Sequence, residues 1–209
     1  MKSLKKQNFE RELPPGYRQA LYINAKEFKL GVILNLISVA VLIIVMCVAV
    51  LILSVSGRLT FDFSHPLQLL IAYFVLFASM IGYIVLHELV HGIAYKSLTG
   101  ERLTFGISWS CAFCGVPGIF TYRKTAIISV AAPLTVFTVL LLPLLAVTYF
   151  LSPLYYLVIA FIFGLHLGGC GGDIYVLILL ITKFKDKKTL MRDTGPEQYF
   201  YLPIDKNDT

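Results

Sequence analysis

Four long apolar runs, at residues 31–55, 67–96, 126–150 and 154–182, are separated by short polar or glycine-rich stretches. Each is long enough to carry a helix across a hydrocarbon layer, for which about 20 apolar residues suffice. The pattern therefore predicts an all-α polytopic membrane protein with four transmembrane helices. The second run exceeds what the hydrocarbon needs, so its end projects toward the interface or the helix tilts. Between the second and third runs, Leu103 to Tyr122 carries no charge but holds Gly106, Gly115, Pro117 and Gly118. Two short strands around a glycine-rich turn, at Leu103–Ile107 and Ile119–Tyr122, make this stretch a short hairpin or re-entrant loop. Irregular backbone at membrane depth must pack on protein or line a cavity, so the loop is expected over the polar cluster that ends the second run. Pro133 and Pro143 are kinks in the third span. The small residues Gly168 to Gly172 in the fourth allow close helix approach.

Composition agrees: 57% of residues are hydrophobic and 14% charged, with a mean hydropathy of +0.78, outside the range of soluble domains. The net charge of +6 comes with no basic stripe interleaved with aromatics, and no nucleic-acid partner is expected. It sorts instead by membrane side. With both termini cytoplasmic, 17 of the 18 Lys and Arg fall inside, and only Arg58 outside. Residues 1–30, which carry Lys2, Lys5 and Lys6, then form a basic cytoplasmic arm, 31–182 a four-span membrane domain and 183–209 a cytoplasmic tail. The first apolar run is too long for the core of a cleavable signal peptide. Asp62 and His65 are residues of a short outer loop. Cys47, Cys111, Cys114 and Cys170 follow no disulfide spacing; Cys111 and Cys114 are small buried side chains by default, with metal or redox chemistry as the alternative.

The chemistry concentrates in His87-Glu88-Leu89-Val90-His91. Residues four apart share a helix face, so His87 and His91 can present two imidazoles to one cation, with Glu88 beside them. This is the spacing by which two His hold Zn²⁺ while the Glu takes a proton from water that the metal acidifies. With four His and six Glu in the chain, a chance match has a probability of roughly two in a thousand. The bland alternative, two polar residues bonding a neighbouring span, must carry a Glu at membrane depth at a cost of about 2.5 to 3.5 kcal/mol. Among acidic residues only Glu88 and Asp173 fall inside the predicted spans. Both lie about 20 residues from the outer ends of parallel spans and so at similar depth, which makes Asp173 the third ligand. His166 sits seven residues earlier, about 10 Å shallower, and is an alternative ligand, a group behind the ligands, or a hydrogen-bonded core histidine.

His87-Glu88-Leu89-Val90-His91-Gly92, Ala132-Pro133-Leu134, His166, Gly171-Gly172-Asp173-Ile174 and the tail at Asp193 together resemble a bacterial membrane family of zincin peptidases, otherwise of unknown function, over about residues 67 to 201. More distantly the chain is similar to site-2 proteases, which cleave peptide bonds within membranes. That likeness implies Zn²⁺ on His87, His91 and Asp173, Glu88 as general base, and a substrate strand adding near Leu103 to Tyr122; Gly106 and Gly115 of that stretch, and Pro133 of the third span, are candidate substrate-binding residues. The chain departs from site-2 proteases in having Gly172 before Asp173, Ile174 after it, and no Asn in spans three or four. The expected function is zinc-dependent hydrolysis of a peptide or membrane-protein substrate near the cytoplasmic face of the cell membrane. The rivals are a non-catalytic metal-binding scaffold with a closed four-ligand site and a small ion or metal transporter.

Overall fold

The computed structural model describes residues 8–60 and 66–204; Asp62, His65 and the leading lysines Lys2, Lys5 and Lys6 lie outside them. In chain order the elements are β1 (Phe9–Glu10), β2 (Tyr17–Asn24), α1 (Phe28–Val55), α2 (Pro66–Thr99), β3 (Thr104–Ile107), β4 (Ala112–Gly115), β5 (Phe120–Tyr122), α3 (Arg123–Leu151), α4 (Pro153–Gly169), α5 (Gly171–Thr182), β6 (Leu190–Asp193) and β7 (Glu197–Pro203). The all-α four-span expectation is overturned. Five helices stand with seven strands in two antiparallel sheets among the described residues, and the fold is mixed α and β.

Among the described residues three helices are long and apolar enough to cross a membrane: α1, α2 over Leu69–Thr99, and α3. The fourth apolar run is the pair α4 and α5, which meets the same test together but is bent by 42° at Cys170, a broken span or a re-entrant loop. Glycines on both sides of Cys170 lower the helical preference there, and Cys170 leaves the helix with φ −72° and ψ 2°. Side chains such as Leu36, Ile44 and Leu51 of α1 are exposed, an apolar surface larger than water-facing helices carry. α2 opens on Pro66, whose missing N–H costs nothing in the first turn. It closes at Gly100, which takes φ +72° and donates its N–H to the Lys96 carbonyl at 2.9 Å.

The chain packs as two compact units. One combines the stretch up to Val32 with Glu88–Ala132 and the stretch from Gly172; the other combines Ile33–His87 with Pro133–Gly171.

The first unit contains both sheets. The larger has strand order β1-β5-β6-β7-β2, with Met191 opposite Phe200 and Thr121 opposite Met191. Its inner face places Ile23, Met191 and Phe200 in one core with Ala126 and Val130 of α3, Val176 and Leu180 of α5, and Phe184. Each fully buried large side chain contributes about 1.5 to 3 kcal/mol. The presumed polar arm and tail thus supply strands: in β2 Arg18, Gln19 and Ala20 are exposed, and after a register shift between Gln19 and Leu21 the chain turns Leu21 and Ile23 inward on either side of exposed Tyr22; it pairs with β7 from Tyr17↔Pro203 to Asn24↔Glu197. A charged composition hid that two-residue period. The smaller sheet is the β3–β4 hairpin, with Phe105 opposite Cys114. The expected second strand, at Ile119–Tyr122, is β5, which pairs with β1 and β6 rather than with β3. Phe105 lies against Gly92 of α2, where a Cβ would come within 2.7 Å of its ring.

In the second unit α4 packs on α1. A Cβ on Gly168 would stand 2.6 Å from the Ser38 carbonyl oxygen, and the Ser38 hydroxyl donates to the Gly168 carbonyl at 2.7 Å. Ala49, Leu53, Tyr156 and Ala160 of the same two helices form a separate core.

Candidate metal centre

Helix α2 carries His87, Glu88 and His91 through its last third. Both imidazoles are buried, at 7% exposure each, while Glu88 is half-buried. Asp173 stands in the first turn of α5, a position created by the break at Cys170. A carboxylate in a first helical turn is favoured by the unpaired N–H groups and the positive end of the helix dipole.

His91 Nδ1 lies 2.8 Å from the Ser129 carbonyl oxygen. A carbonyl only accepts, so Nδ1 carries the hydrogen and the lone pair of the neutral ring is on Nε2. That nitrogen is 3.3 Å from Asp173 Oδ1. Two acceptors face each other, and either a proton or a cation must join them. Oxygen and nitrogen ligands on a tetrahedral Zn²⁺ stand about 3.3 Å apart, given bonds of about 2.05 Å. His87 is one turn before His91 on the same helix face, and ligand atoms of His87, His91 and Asp173 all lie within 4.8 Å of one another. The donor set fits a divalent ion of the zinc class.

His87 Nδ1 is 2.9 Å from the Tyr83 hydroxyl, one turn earlier on α2. The same hydroxyl is 3.1 Å from Nδ1 of the fully buried His166. His166 Nε2 meets Thr138 Oγ1 at 3.0 Å, and Cys170 Sγ lies 3.6 Å from His166 Nδ1. His166 is thus grouped with His87 and Cys170.

One turn beyond His91, the Tyr95 hydroxyl donates to Asp193 Oδ2 at 2.6 Å, and the Gly195 N–H donates to Oδ1 at 2.9 Å. Burial pushes the Asp193 carboxyl up to about 6, against the two hydrogen bonds that favour its charged form. Cys114 on β4 is pushed up to about 12 by burial and then by the charges of Glu88 and Asp193, so it is a thiol at neutral pH. None of the four cysteines is in a disulfide.

The other candidates sit in the packing of the first unit and of α3. A side chain on Gly106 would strike the Phe113 ring, and one on Gly115 would strike the Thr194–Gly195 backbone. Pro133 is fully buried inside α3. Sequence reasoning missed Tyr83, Tyr95, Ser129, Cys170 and Asp193 as parts of the site. A signal was present: Tyr83, His87, His91, Tyr95 and Thr99 recur every fourth residue, a stripe of polar-tipped side chains along an otherwise apolar helix.

Residues 80–188, just over half of the chain, match the model of a family described as "Putative zincin peptidase". No curated protein matches the chain, and no solved structure does.

Proposed function

The chain belongs to the zincin peptidase family, and from that premise we propose that it is a zinc-dependent peptidase embedded in the cell membrane, cutting a peptide or membrane-protein segment near the cytoplasmic face. His87, His91 and Asp173 would hold the ion and Glu88 would act as general base. Zinc, when bound, supplies Lewis acidity that acidifies water and polarises a carbonyl. The chain's own residues supply the rest. Ser129 fixes His91 through Nδ1 so that Nε2 is presented as a ligand, and Tyr83 meets His87 at its Nδ1 in the same way. The Glu88 carboxylate, adjacent to His87, takes the proton of the attacking water.

The observation that carries this reading is the 3.3 Å approach of His91 Nε2 to Asp173 Oδ1 with Nδ1 committed to a carbonyl. Three apolar helices of spanning length, joined by a fourth crossing where the bent pair α4 and α5 counts as one span, support the membrane setting, and with four crossings 17 of the 18 basic residues fall on the side of the termini, which supports cytoplasmic ends. Among the described residues β3 pairs with β4 alone, which suits an extended substrate adding along its other edge, a mode that uses main-chain hydrogen bonds. Phe105 packs β3 against the residue next to His91.

The test is purification in detergent with metal analysis and cleavage of a model transmembrane peptide. Glu88→Gln should abolish cleavage and keep the zinc content of the wild type; substantial proteolysis by that variant rejects the assignment. Asp173→Asn should lower zinc occupancy far more than His166→Ala, and the reverse order removes Asp173 from the ligand set.

A further inference from the structure

His87 belongs to two ligand sets, and the second contains no carboxylate. Ligand atoms of His87, His166 and Cys170 lie within 4.8 Å of one another, and all three residues are buried. Cys170 Sγ is 3.6 Å from His166 Nδ1. A tetrahedral zinc with bonds of about 2.3 Å to sulfur and 2.05 Å to nitrogen holds those two atoms about 3.6 Å apart. The backbone makes this spacing. Cys170 follows His166 by four residues and keeps its N–H on the His166 carbonyl at 3.1 Å, so both side chains leave α4 on one face just before the chain turns into α5. The Tyr83 hydroxyl, between His87 Nδ1 at 2.9 Å and His166 Nδ1 at 3.1 Å, supplies an oxygen at the same place.

We propose that His87, His166 and Cys170 form a second cation seat of two imidazoles and a thiolate, suited to zinc or another ion of similar softness. Thiolate and imidazole donors select such ions over Mg²⁺ and Ca²⁺, which prefer oxygen. Binding converts the Cys170 S–H to a thiolate and releases its proton to solvent, so loading weakens as pH falls. Because His87 is common to both sets, an ion in this seat draws on an imidazole that the carboxylate-bearing set also uses, and the loading of the two is coupled. The seat lies wholly in the second unit and does not depend on peptidase activity.

The experiment is titration of the metal-free full chain in detergent with Co²⁺, read by absorption. The wild type should show a thiolate-to-cobalt charge-transfer band. Cys170→Ser should lose it, while Cys47→Ser and Cys111→Ser should keep it. His166→Ala should weaken the Co²⁺ affinity read from the band by about tenfold or more. Asp173→Asn should retain the band, which separates this seat from the peptidase ligand set: failure of that set leaves the band in place. A wild type with cobalt absorption but no thiolate band overturns the proposal, and that reading needs no variant. Persistence of the band in Cys170→Ser, or its loss in Asp173→Asn, overturns it as well, the latter because one ion would then be using both groups.

Discussion

At the scale of single residues, buried hydrogen bonds decide which atoms face a cation. Ser129 leaves His91 Nε2 toward Asp173, and Tyr83 stands behind His87. Removing such a partner lets the ring turn and leaves a buried nitrogen unsatisfied. Tyr83→Phe should therefore lower zinc affinity by about 10- to 100-fold, measured by competition with a chelator; unchanged affinity would show that Tyr83 does not orient His87. Asp193 sets a pH dependence. Its carboxyl titrates near 6 in the fold against 3.8 for the unperturbed group, so the folded state binds the proton more tightly than the unfolded chain. Its contribution is fully present below about pH 4, is lost as pH rises to 6, and is level above that. Relative to Asp193→Asn, the wild type should lose on the order of 3 kcal/mol across that window. Thermal midpoints of the two proteins between pH 4 and 7 check it, and parallel curves would contradict it.

At the scale of elements, close approach and aromatic stacking place α1. Gly168 admits the Ser38 backbone, and Gly168→Ala pushes a methyl group against main chain that cannot swing aside. A destabilisation of about 1 to 3 kcal/mol is expected, read as a lower thermal midpoint in detergent, with Gly118→Ala, where a Cβ meets open space, as the neutral control. Trp109 follows the β3 strand and stacks on Phe28 at 5.6 Å between ring centroids, at the first residue of α1. Tryptophan favours the membrane–water interface, and Trp109 is the single tryptophan of the chain. In vesicles its emission should be quenched by lipids brominated near the headgroup more than by lipids brominated deep in the acyl chain. Strong quenching by aqueous iodide with none by either lipid would place it in water.

At the scale of the whole molecule, segments distant in sequence complete the larger sheet. β6 and β7, from the last quarter of the chain, lie between β5 and β2 and contribute the fully buried Leu190, Met191 and Phe200. Truncation before Leu190 should therefore cost the cooperative unfolding transition rather than trim a loose tail; an unchanged transition would show that the unit stands without these strands. The same distance explains what was hard to read. The four apolar runs were legible because membrane-length hydrophobicity is a local property. So was the His-Glu-x-x-His spacing, because a helix repeats every 3.6 residues. The strands of the presumed arm and tail were not, since Tyr17–Asn24 shows its period only through Leu21 and Ile23, and its partner lies some 180 residues away at Glu197–Pro203.

The amino-acid order by itself determined the apolar helices, the face on which His87 and His91 stand together, and the rarity of Asp173 among hydrophobic neighbours, because each follows from composition or from the geometry of a few consecutive turns. Only the tertiary structure decided that the polar ends pair into a sheet, that the fourth apolar run breaks at Cys170, that Ser129 meets His91, and that Tyr83 links His87 to His166. These depend on which distant groups can satisfy a buried donor or acceptor, and no local period encodes that.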